Sequence, residues 1–195
     1  MEFDSYVGID WSGDKSKFQK GISVSQCMKG HNVPKIIRPK KNFWSRNELH
    51  EWINEEIKTK KVLMGFDFAF AYPFYDKYSY FPGIKESPTN PYKLWEIINN
   101  INYNKDNFYG GGIWTQYPYL NFYNAPSLKG TYYKSRRRIT EIYAKEKTHS
   151  PSPTFNCVGP GAVGTGTLAG MRFLNSLKSE ISIWPMDKIS ILKIL

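Results

Sequence analysis

The chain has 195 residues, of which 41% are hydrophobic and 23% charged, and this balance excludes a disordered polyampholyte and a fibrous repeat. Two cysteines are too few for a disulfide framework or a zinc cluster. The acidic start and the lack of an apolar run of about 20 residues predict neither a signal peptide nor a membrane-spanning helix. We therefore predict one domain, residues 1–195, in a cytoplasmic protein with no membrane partner.

The charge is strongly positive. Lysine and arginine outnumber aspartate and glutamate by 27 to 17, which gives a formal net charge of +10. A basic chain attracts polyanions through counterion release, and nucleic acid is the commonest such partner. Lysines scattered over a solvated surface give the same net charge, so composition alone leaves both interpretations open.

Three strands are predicted at the start of the chain. Residues 6–11 are apolar and β-prone and end at a Ser-Gly-Asp turn, and residues 22–25 alternate between apolar and polar. An isoleucine pair at 36–37 marks a third strand. The short spacing between these runs predicts an antiparallel meander.

A helix and a fourth strand follow. Ser45 with Glu48 three residues later is a capping-box pattern. The apolar stripe behind it predicts a helix of roughly 13 residues. Residues 62–68 are almost continuously apolar, which predicts a strand covered on both faces, as in the parallel part of an α/β sheet.

The middle of the chain, residues 70–133, is rich in aromatic residues, proline, glycine and asparagine. One helix is predicted there, with Asn90 as its cap and Pro91 at its first position. The remainder has no clear periodicity. We predict an insertion or lid that is packed by its own aromatic rings.

The last third contains two predicted helices and a short strand. Residues 133–147 form a basic helical segment, and residues 162–178 carry apolar residues at helical spacing. Residues 181–184 are predicted to be a strand closed by a proline. The apolar residues 189–195 predict either a buried edge element or a shortened chain.

Asp10 and Asp67 are the most informative polar residues, since each stands at the end of an apolar strand. In an open α/β sheet, ligands bind outside the carboxyl ends of the strands. If these two strands are parallel neighbours, their carboxylates converge, and they repel unless a proton or a cation lies between them. Mg²⁺ prefers such oxygen ligands. The alternative is that each aspartate hydrogen-bonds within its own turn.

The order β-β-β-α-β, with an aspartate ending the first and the fourth strand, resembles the ribonuclease-H-like superfamily. More specifically, the chain resembles a bacterial group within it whose members are described as predicted RNase-H-like nucleases or domains of unknown function. The resemblance touches most of the chain but rests on short motifs. These are GIDWSG at 8–13, GFDFAF at 65–70, RRITE at 137–141, GAVG at 161–164 and WP at 184–185.

The resemblance implies a mixed five-stranded sheet in the order 3-2-1-4-5, with strand 2 antiparallel and helices at its faces. It also implies a nuclease whose carboxylate cluster holds one or two Mg²⁺ or Mn²⁺ ions for phosphodiester hydrolysis. Asp10 and Asp67 match the family's first- and fourth-strand aspartates. Glu141 matches a glutamate that follows an arginine pair, as a third ligand or general base. The family continues with a strand that carries a further glutamate, and Asp187 is the candidate substitute for that metal ligand.

Arg136, Arg137 and Arg138 are predicted to bind the phosphates of nucleic acid, because guanidinium groups match phosphate oxygens bidentately. Ser12, in the glycine turn after the first strand, is predicted to bind phosphate as well. The alternative is a solvated helix face on which Arg138 pairs with Glu141 or Glu146.

Two other function classes fit the same pattern. A non-catalytic nucleic-acid-binding or interaction module would keep the fold and the basic charge without a working metal site. A phosphotransferase of the actin-like class shares the β-β-β-α-β core and would bind nucleotide phosphates, although one such chain normally carries two copies of that core. In a nucleic-acid-binding protein, a few aromatic rings of residues 70–133 would stack on unpaired bases. The choice between DNA and RNA, and the strandedness, stay open.

Overall fold

The computed structural model describes residues 2–30 and 33–187, which form an α/β fold. The chain divides into two compact units. The first contains the described residues of Met1–Ser12, Ser16–Asp67 and Ser176–Leu195, and the second contains Gly13–Lys15 and Phe68–Asn175. The insertion that we predicted at 70–133 therefore lies within the second unit.

The first unit is built on a mixed sheet of four strands. These are β1 (Ser5–Asp10), β2 (Ser23–Met28), β3 (Lys35–Ile37) and β4 (Val62–Phe66), in the order β3-β2-β1-β4. β2 pairs antiparallel with both β1 and β3, whereas β4 pairs parallel with β1. The predicted meander, the antiparallel second strand and the order 3-2-1-4 are confirmed.

The helix α1 (Arg46–Thr59) follows β3 and confirms the predicted helix. Its N-cap is Ser45, whose Oγ accepts a hydrogen bond from the Glu48 backbone N–H at 3.1 Å. The Glu48 carboxylate in turn accepts a hydrogen bond from the Lys40 backbone N–H at 2.6 Å. Together, these two hydrogen bonds fix the start of α1 against the preceding loop.

One face of the sheet is covered by α1. The side-chain amide of Gln26 on β2 donates to Glu56 Oε2 on α1 at 2.8 Å. Gln26 lies opposite Val7 in the register of β1 and β2, so α1 lies on the side of the sheet to which Val7 points. The buried apolar side chains on this side of the sheet and along α1 are Val7, Ile9, Val24, Leu49 and Ile53.

The opposite face of the sheet is open in the described part of the chain, which corrects the prediction that β4 is covered on both faces. Leu63 on β4 and Tyr6 on β1 lie side by side and are 47% and 44% exposed. The pleat sends alternate residues of β4 away from α1. An unbroken apolar run therefore does not show how many faces of a strand are covered.

The predicted five-stranded sheet is wrong for residues 2–30 and 33–187, where the main sheet has four strands. Residues 181–184, predicted as a strand, are irregular, and a turn begins at Trp184. The physical reason is a local pair of hydrogen bonds: Asp187 Oδ2 accepts from the Ile183 N–H at 2.7 Å, and the Asp187 N–H donates to the Ile183 carbonyl at 2.8 Å. The predicted edge element at 189–195 lies outside the described residues.

The second unit combines helices with short irregular segments. The helix α2 (Pro91–Ile101) begins as predicted, since Asn90 Oδ1 accepts from the Lys93 N–H at 3.0 Å. A two-stranded ribbon follows, then α3 (Ile139–Lys147) and α4 (Gly164–Leu177), the last of which ends in the first unit. Among the described residues, every helix falls short of the length and apolar character that crossing a membrane requires.

Aromatic rings form the core of the second unit, and one of them, Phe155, lies outside the predicted insertion 70–133. Tyr72 stacks on Phe155 with ring centroids 4.1 Å apart, and the Tyr123 hydroxyl donates to the Tyr72 hydroxyl at 3.0 Å. Phe81 meets both Tyr72 and Phe155 edge-on. Burial raises the pKa of both tyrosine hydroxyls well above the usual range, so this cluster is structural.

The basic segment 133–147 is helical only from Ile139 onward. The Glu141 carboxylate accepts a hydrogen bond from the Arg138 backbone N–H at 2.8 Å, and this contact ends the extended stretch and starts α3. Residues 133–138 are therefore not helical, which corrects the prediction for that stretch.

Candidate active site

Asp10 and Asp67 lie at the carboxyl ends of two neighbouring parallel strands. Ile9 of β1 pairs with Phe66 of β4, so the next residue on each strand is one of the two aspartates. Both aspartates are exposed. The pairing of β1 with β4 that brings them together follows from the element order β-β-β-α-β, in which the crossover helix α1 makes the two strands parallel.

The two carboxyl groups interact directly, and the pKa of Asp67 is raised above its ordinary value of 3.8. Although Asp67 is an exposed residue, partial burial of its carboxyl group is the largest cause. The hydrogen bond and negative charge of Asp10 raise this pKa further, whereas the N–H of Trp11 acts in the opposite direction. Two carboxyl groups in this arrangement share a proton or bind a cation in its place.

The backbone after β1 holds the Asp67 carboxylate in position. The Trp11 N–H donates to Asp67 Oδ1 at 2.8 Å. The Trp11 ring packs edge-on against Phe66 with centroids 6.0 Å apart, and it is 9% exposed. Because a buried ring anchors the donor, the carboxylate is oriented before any ligand arrives.

Arg46 is a residue of this region that the sequence reasoning missed. It is completely buried, donates from Nε and Nη2 to the Ser12 carbonyl at 3.0 and 2.7 Å, and reaches Gln19 Oε1 at 3.2 Å. A cation at the first position of a helix opposes the helix dipole, and this unfavourable placement is the signal that was available in the sequence. Arg46 is therefore a positioning residue for the turn that follows Asp10. The phosphate-binding role of Ser12 stays a prediction.

Glu141, the predicted third ligand, lies on α3 in the second unit and is 5% exposed. Its Oε1 accepts from Arg138 Nε at 3.0 Å and pairs with Arg138 Nη2 at 2.8 Å. This is the pairing that the alternative interpretation predicted. Within the described residues, no group of three His, Cys, Asp or Glu side chains is arranged to hold a metal ion. The ligand role of Glu141 stays a prediction, as does that of Asp187, whose carboxylate closes the turn at Ile183.

Arg136 makes a dense set of contacts inside the second unit. Its guanidinium pairs with both oxygens of Asp76 at 2.8 and 2.7 Å and donates to the carbonyls of Pro73, Ser79 and Tyr80, each at 2.8 Å. The hydrogen bond from this guanidinium is the largest cause that lowers the pKa of Asp76. The five contacts show that Arg136 holds the loop 73–80 in place.

Arg137 is half-buried and less constrained than Arg136. It donates to the Pro151 carbonyl at 3.3 Å, and to the carbonyl and Oγ of Ser135 at 3.4 and 3.1 Å. These hydrogen bonds are fewer and longer than those of Arg136. Of the three predicted phosphate-binding arginines, Arg137 therefore keeps the most freedom to meet an anion.

The raised pKa of Asp67 leads to a prediction about stability and pH. The folded chain binds the Asp67 proton more tightly than the unfolded chain does, so this carboxyl lowers stability as pH rises through its pKa. In metal-free buffer, Asp67→Asn should raise Tm at pH 7 by roughly 1–2 °C, since about 1 kcal/mol shifts Tm by ~2–4 °C at this size and solvent screening reduces the effect.

Thermal unfolding of both proteins between pH 3 and pH 8 is the measurement. The gain in Tm should vanish below the ordinary carboxyl pKa, where the wild-type carboxyls are protonated. A variant that is less stable at pH 7, or a difference that does not change with pH, would contradict the raised pKa of Asp67.

Comparison with known proteins gives no match to any family model, curated protein or solved structure. The ribonuclease-H-like resemblance therefore rests on the motifs and on the strand order. That order is compatible with the family, but the actin-like class shares the same core, so the strand order does not decide the chemistry of the site.

Proposed function

We propose that the chain is a divalent-metal-dependent nuclease that hydrolyses phosphodiester bonds in nucleic acid. One observation carries the proposal: the carboxyl groups of Asp10 and Asp67 meet at the carboxyl ends of two parallel strands. Two acids held this close are unfavourable in an empty site, and a cation between them removes the repulsion. This arrangement supports a metal site rather than two separate turn caps.

The donor set fits one Mg²⁺ or Mn²⁺ ion. Both ions accept carboxylate oxygens, and Mg²⁺ keeps several water ligands, so two carboxylates are enough for one ion. The Trp11 N–H orients one of these carboxylates at 2.8 Å. A pair of ions about 3.5–4 Å apart would need more ligands than the described residues bring together. The proposal therefore uses a single ion.

The residues of the site would do the following in hydrolysis. A bound ion supplies charge neutralisation at the phosphate and a lowered pKa for a water molecule. The Asp67 carboxylate, oriented by the Trp11 N–H, would accept the proton of the attacking water. The water oxygen bonds to phosphorus, the bond from phosphorus to the leaving oxygen breaks, and that oxygen takes up a proton from solvent.

Two features support nucleic acid as the substrate. The net charge of +10 favours a polyanion. In the second unit, the loop 73–80 that Arg136 anchors exposes Tyr75 and Tyr78 by 67% and 73%, with ring centroids 5.6 Å apart. Rings presented by a fixed loop can stack on unpaired bases, each worth ~1–3 kcal/mol. Single-stranded nucleic acid is therefore the favoured substrate.

The test is a cleavage assay with labelled single-stranded and duplex DNA and RNA. Each substrate is incubated with Mn²⁺, Mg²⁺ or EDTA. We expect cleavage with either ion, faster for single strands, and none with EDTA.

Two other outcomes would replace this proposal. Salt-dependent binding without cleavage in either metal would identify a non-catalytic nucleic-acid-binding module. Stabilisation against heat by ATP, without cleavage of nucleic acid, would identify a nucleotide-phosphate-binding protein of the actin-like class.

A further inference from the structure

The positive charge of the chain is concentrated in one stretch of the sequence. Of the 27 basic residues, nine lie at 15–47, where there is no aspartate or glutamate. The remaining 18 basic residues are balanced by all 17 acidic residues, so the rest of the chain is almost neutral. A basic cluster attracts a polyanion to one place, which a charge spread over the whole surface does not.

Part of this basic stretch leaves the sheet at the edge that carries the aspartate pair. In the strand register Asp10 lies opposite Ser23, and Ile37, the last residue of β3, lies opposite Val24. Arg38 follows Ile37 and therefore lies at the same edge as Asp10. Since neighbouring strands are ~4.8 Å apart, the backbones of Arg38 and Asp10 are about 10 Å apart along this edge.

Two loops of the first unit meet at this edge: residues 16–22, before β2, and residues 38–44, after β3. We call them the basic loops. A bridge joins them, in which the Gln19 N–H donates to the Trp44 carbonyl at 2.7 Å. The Gln19 side chain is completely buried, and its Oε1 accepts from Nη2 of the buried Arg46 at 3.2 Å. The basic loops are therefore held in place before any ligand arrives.

The cationic side chains of the basic loops are exposed, whereas the contacts that hold the loops together are buried. The ammonium groups of Lys17 and Lys41, one from each loop, lie 5.8 and 5.1 Å from the centroid of the Phe18 ring. None of the salt bridges of the described residues involves Lys20, Arg38, Lys40 or Lys41. The exposed cations are Lys17, Lys20, Arg38, Lys40 and Lys41.

We propose that the basic loops bind the phosphate backbone of single-stranded nucleic acid beside the aspartate pair. The inference deepens the proposed function, on which it rests for the choice of nucleic acid. Lysine and arginine bind phosphates whatever the base sequence, and a chain of phosphates contacts several cations along one edge. The aspartate pair repels phosphate when no ion is bound, and the neighbouring basic loops offset this repulsion.

An anionic lipid surface is the other partner that a basic patch attracts. Proteins that lie on a membrane insert an apolar helix face beside their cations. The basic loops instead expose one large ring, Phe43, which is 41% exposed, and they lie next to two carboxylates. A single exposed ring among cations is suited to stack on an unpaired base. The observations therefore favour nucleic acid.

The experiment measures binding without any metal ion. Fluorescence anisotropy in EDTA follows a labelled deoxythymidine oligonucleotide of about 20 nucleotides, longer than the ~4–16 that one binding fold covers. The test variant is Lys20→Gln, Arg38→Gln, which removes one cation from each loop. At about 0.1 M salt its affinity should fall on the order of tenfold. The slope of log affinity against log salt should become shallower by ~1.4, because each phosphate contact with a single strand contributes about 0.7.

The matched control is Lys35→Gln, Lys61→Gln. It removes the same charge from two exposed lysines of the first unit, at the amino ends of β3 and β4 and so at the opposite edge of the sheet. The control should keep the wild-type slope. A second test variant, Lys40→Gln, Lys41→Gln, should repeat the loss. Because all of these side chains are exposed, every variant should keep the wild-type Tm.

Three results would overturn this inference: a wild-type slope and affinity in both test variants, an equal loss in the control, or tighter binding to phosphatidylserine vesicles than to the oligonucleotide. The last result would indicate a membrane surface. The assay contains no metal ion, so its outcome is separate from that of the cleavage assay. A chain that binds through the basic loops but cleaves nothing in Mn²⁺ would support this inference and refute the nuclease proposal.

Discussion

Replacing Asp10 or Asp67 with asparagine is expected to reduce metal-dependent cleavage of nucleic acid by on the order of 10³-fold. Each change removes one of two carboxylates that meet at the site. Metal-assisted stabilisation of a phosphoryl transition state is worth several kcal/mol, and ~4 kcal/mol corresponds to about 10³ in rate. Asparagine at position 67 keeps an oxygen that can accept the Trp11 N–H, so the local fold should survive.

Single-turnover cleavage in Mn²⁺ measures this loss separately from substrate binding. The matched control is Glu55→Gln, which also removes one acidic charge from the first unit, at a side chain that is 71% exposed and pairs only at the surface with Lys58. Glu55→Gln should cleave at the wild-type rate. Full activity in Asp67→Asn would show that the aspartate pair is not the catalytic centre.

Replacing Arg136 with methionine is expected to destabilise the chain strongly. The change leaves Asp76 and the carbonyls of Pro73, Ser79 and Tyr80 without their shared donor. Removing one partner of a buried ion pair costs ~3–5 kcal/mol, and the 32% exposure of Asp76 places this case at the lower end. At ~2–4 °C for each kcal/mol, Tm should fall by about 6–12 °C.

The adjacent Arg137→Met is the control for Arg136→Met, since it removes the same charge from a half-buried side chain with fewer contacts. It should change Tm by less than about 2 °C. Asp76 also makes the stability of the folded chain depend on pH. Because its pKa is lowered from 3.8, its carboxylate stabilises the folded chain above pH 3.8, and this stabilisation is lost as pH falls through the lowered pKa. Arg136→Met should remove that dependence. A variant with wild-type Tm and weakened nucleic-acid binding would instead support the phosphate-binding role predicted from the sequence.

The strand order could be predicted from the sequence because cap and turn residues mark where the elements begin and end. Caps at Ser45 and Asn90 begin two helices, and turn residues close the first strand. The lack of a strand at 181–184 could not be predicted, because a side chain two residues past the proline, Asp187, folds back on Ile183. The open face of β4 was hidden for another reason: a continuous apolar run is the same whether one face or both are covered.

The candidate site also has features that could be predicted from the sequence and features that could not. Asp10 and Asp67 could be placed together because parallel strands bring their carboxyl ends to one edge. The partners of Arg136 could not be predicted, because the loop 73–80 lies about sixty residues away in sequence and shares no periodic pattern with the segment around Arg136. Arg46 was overlooked although its place at a helix start was unusual, since its role depends on the distant carbonyl of Ser12.

Calorimetric titration of the wild type and of Asp67→Asn with Mn²⁺, repeated at two pH values, tests the metal site most directly. The wild type should bind one ion per chain, more weakly at the lower pH because the ion competes with the proton that the raised pKa of Asp67 favours. The variant should lose that binding. A wild type that takes up no ion, or a variant that binds equally well at both pH values, would contradict the account.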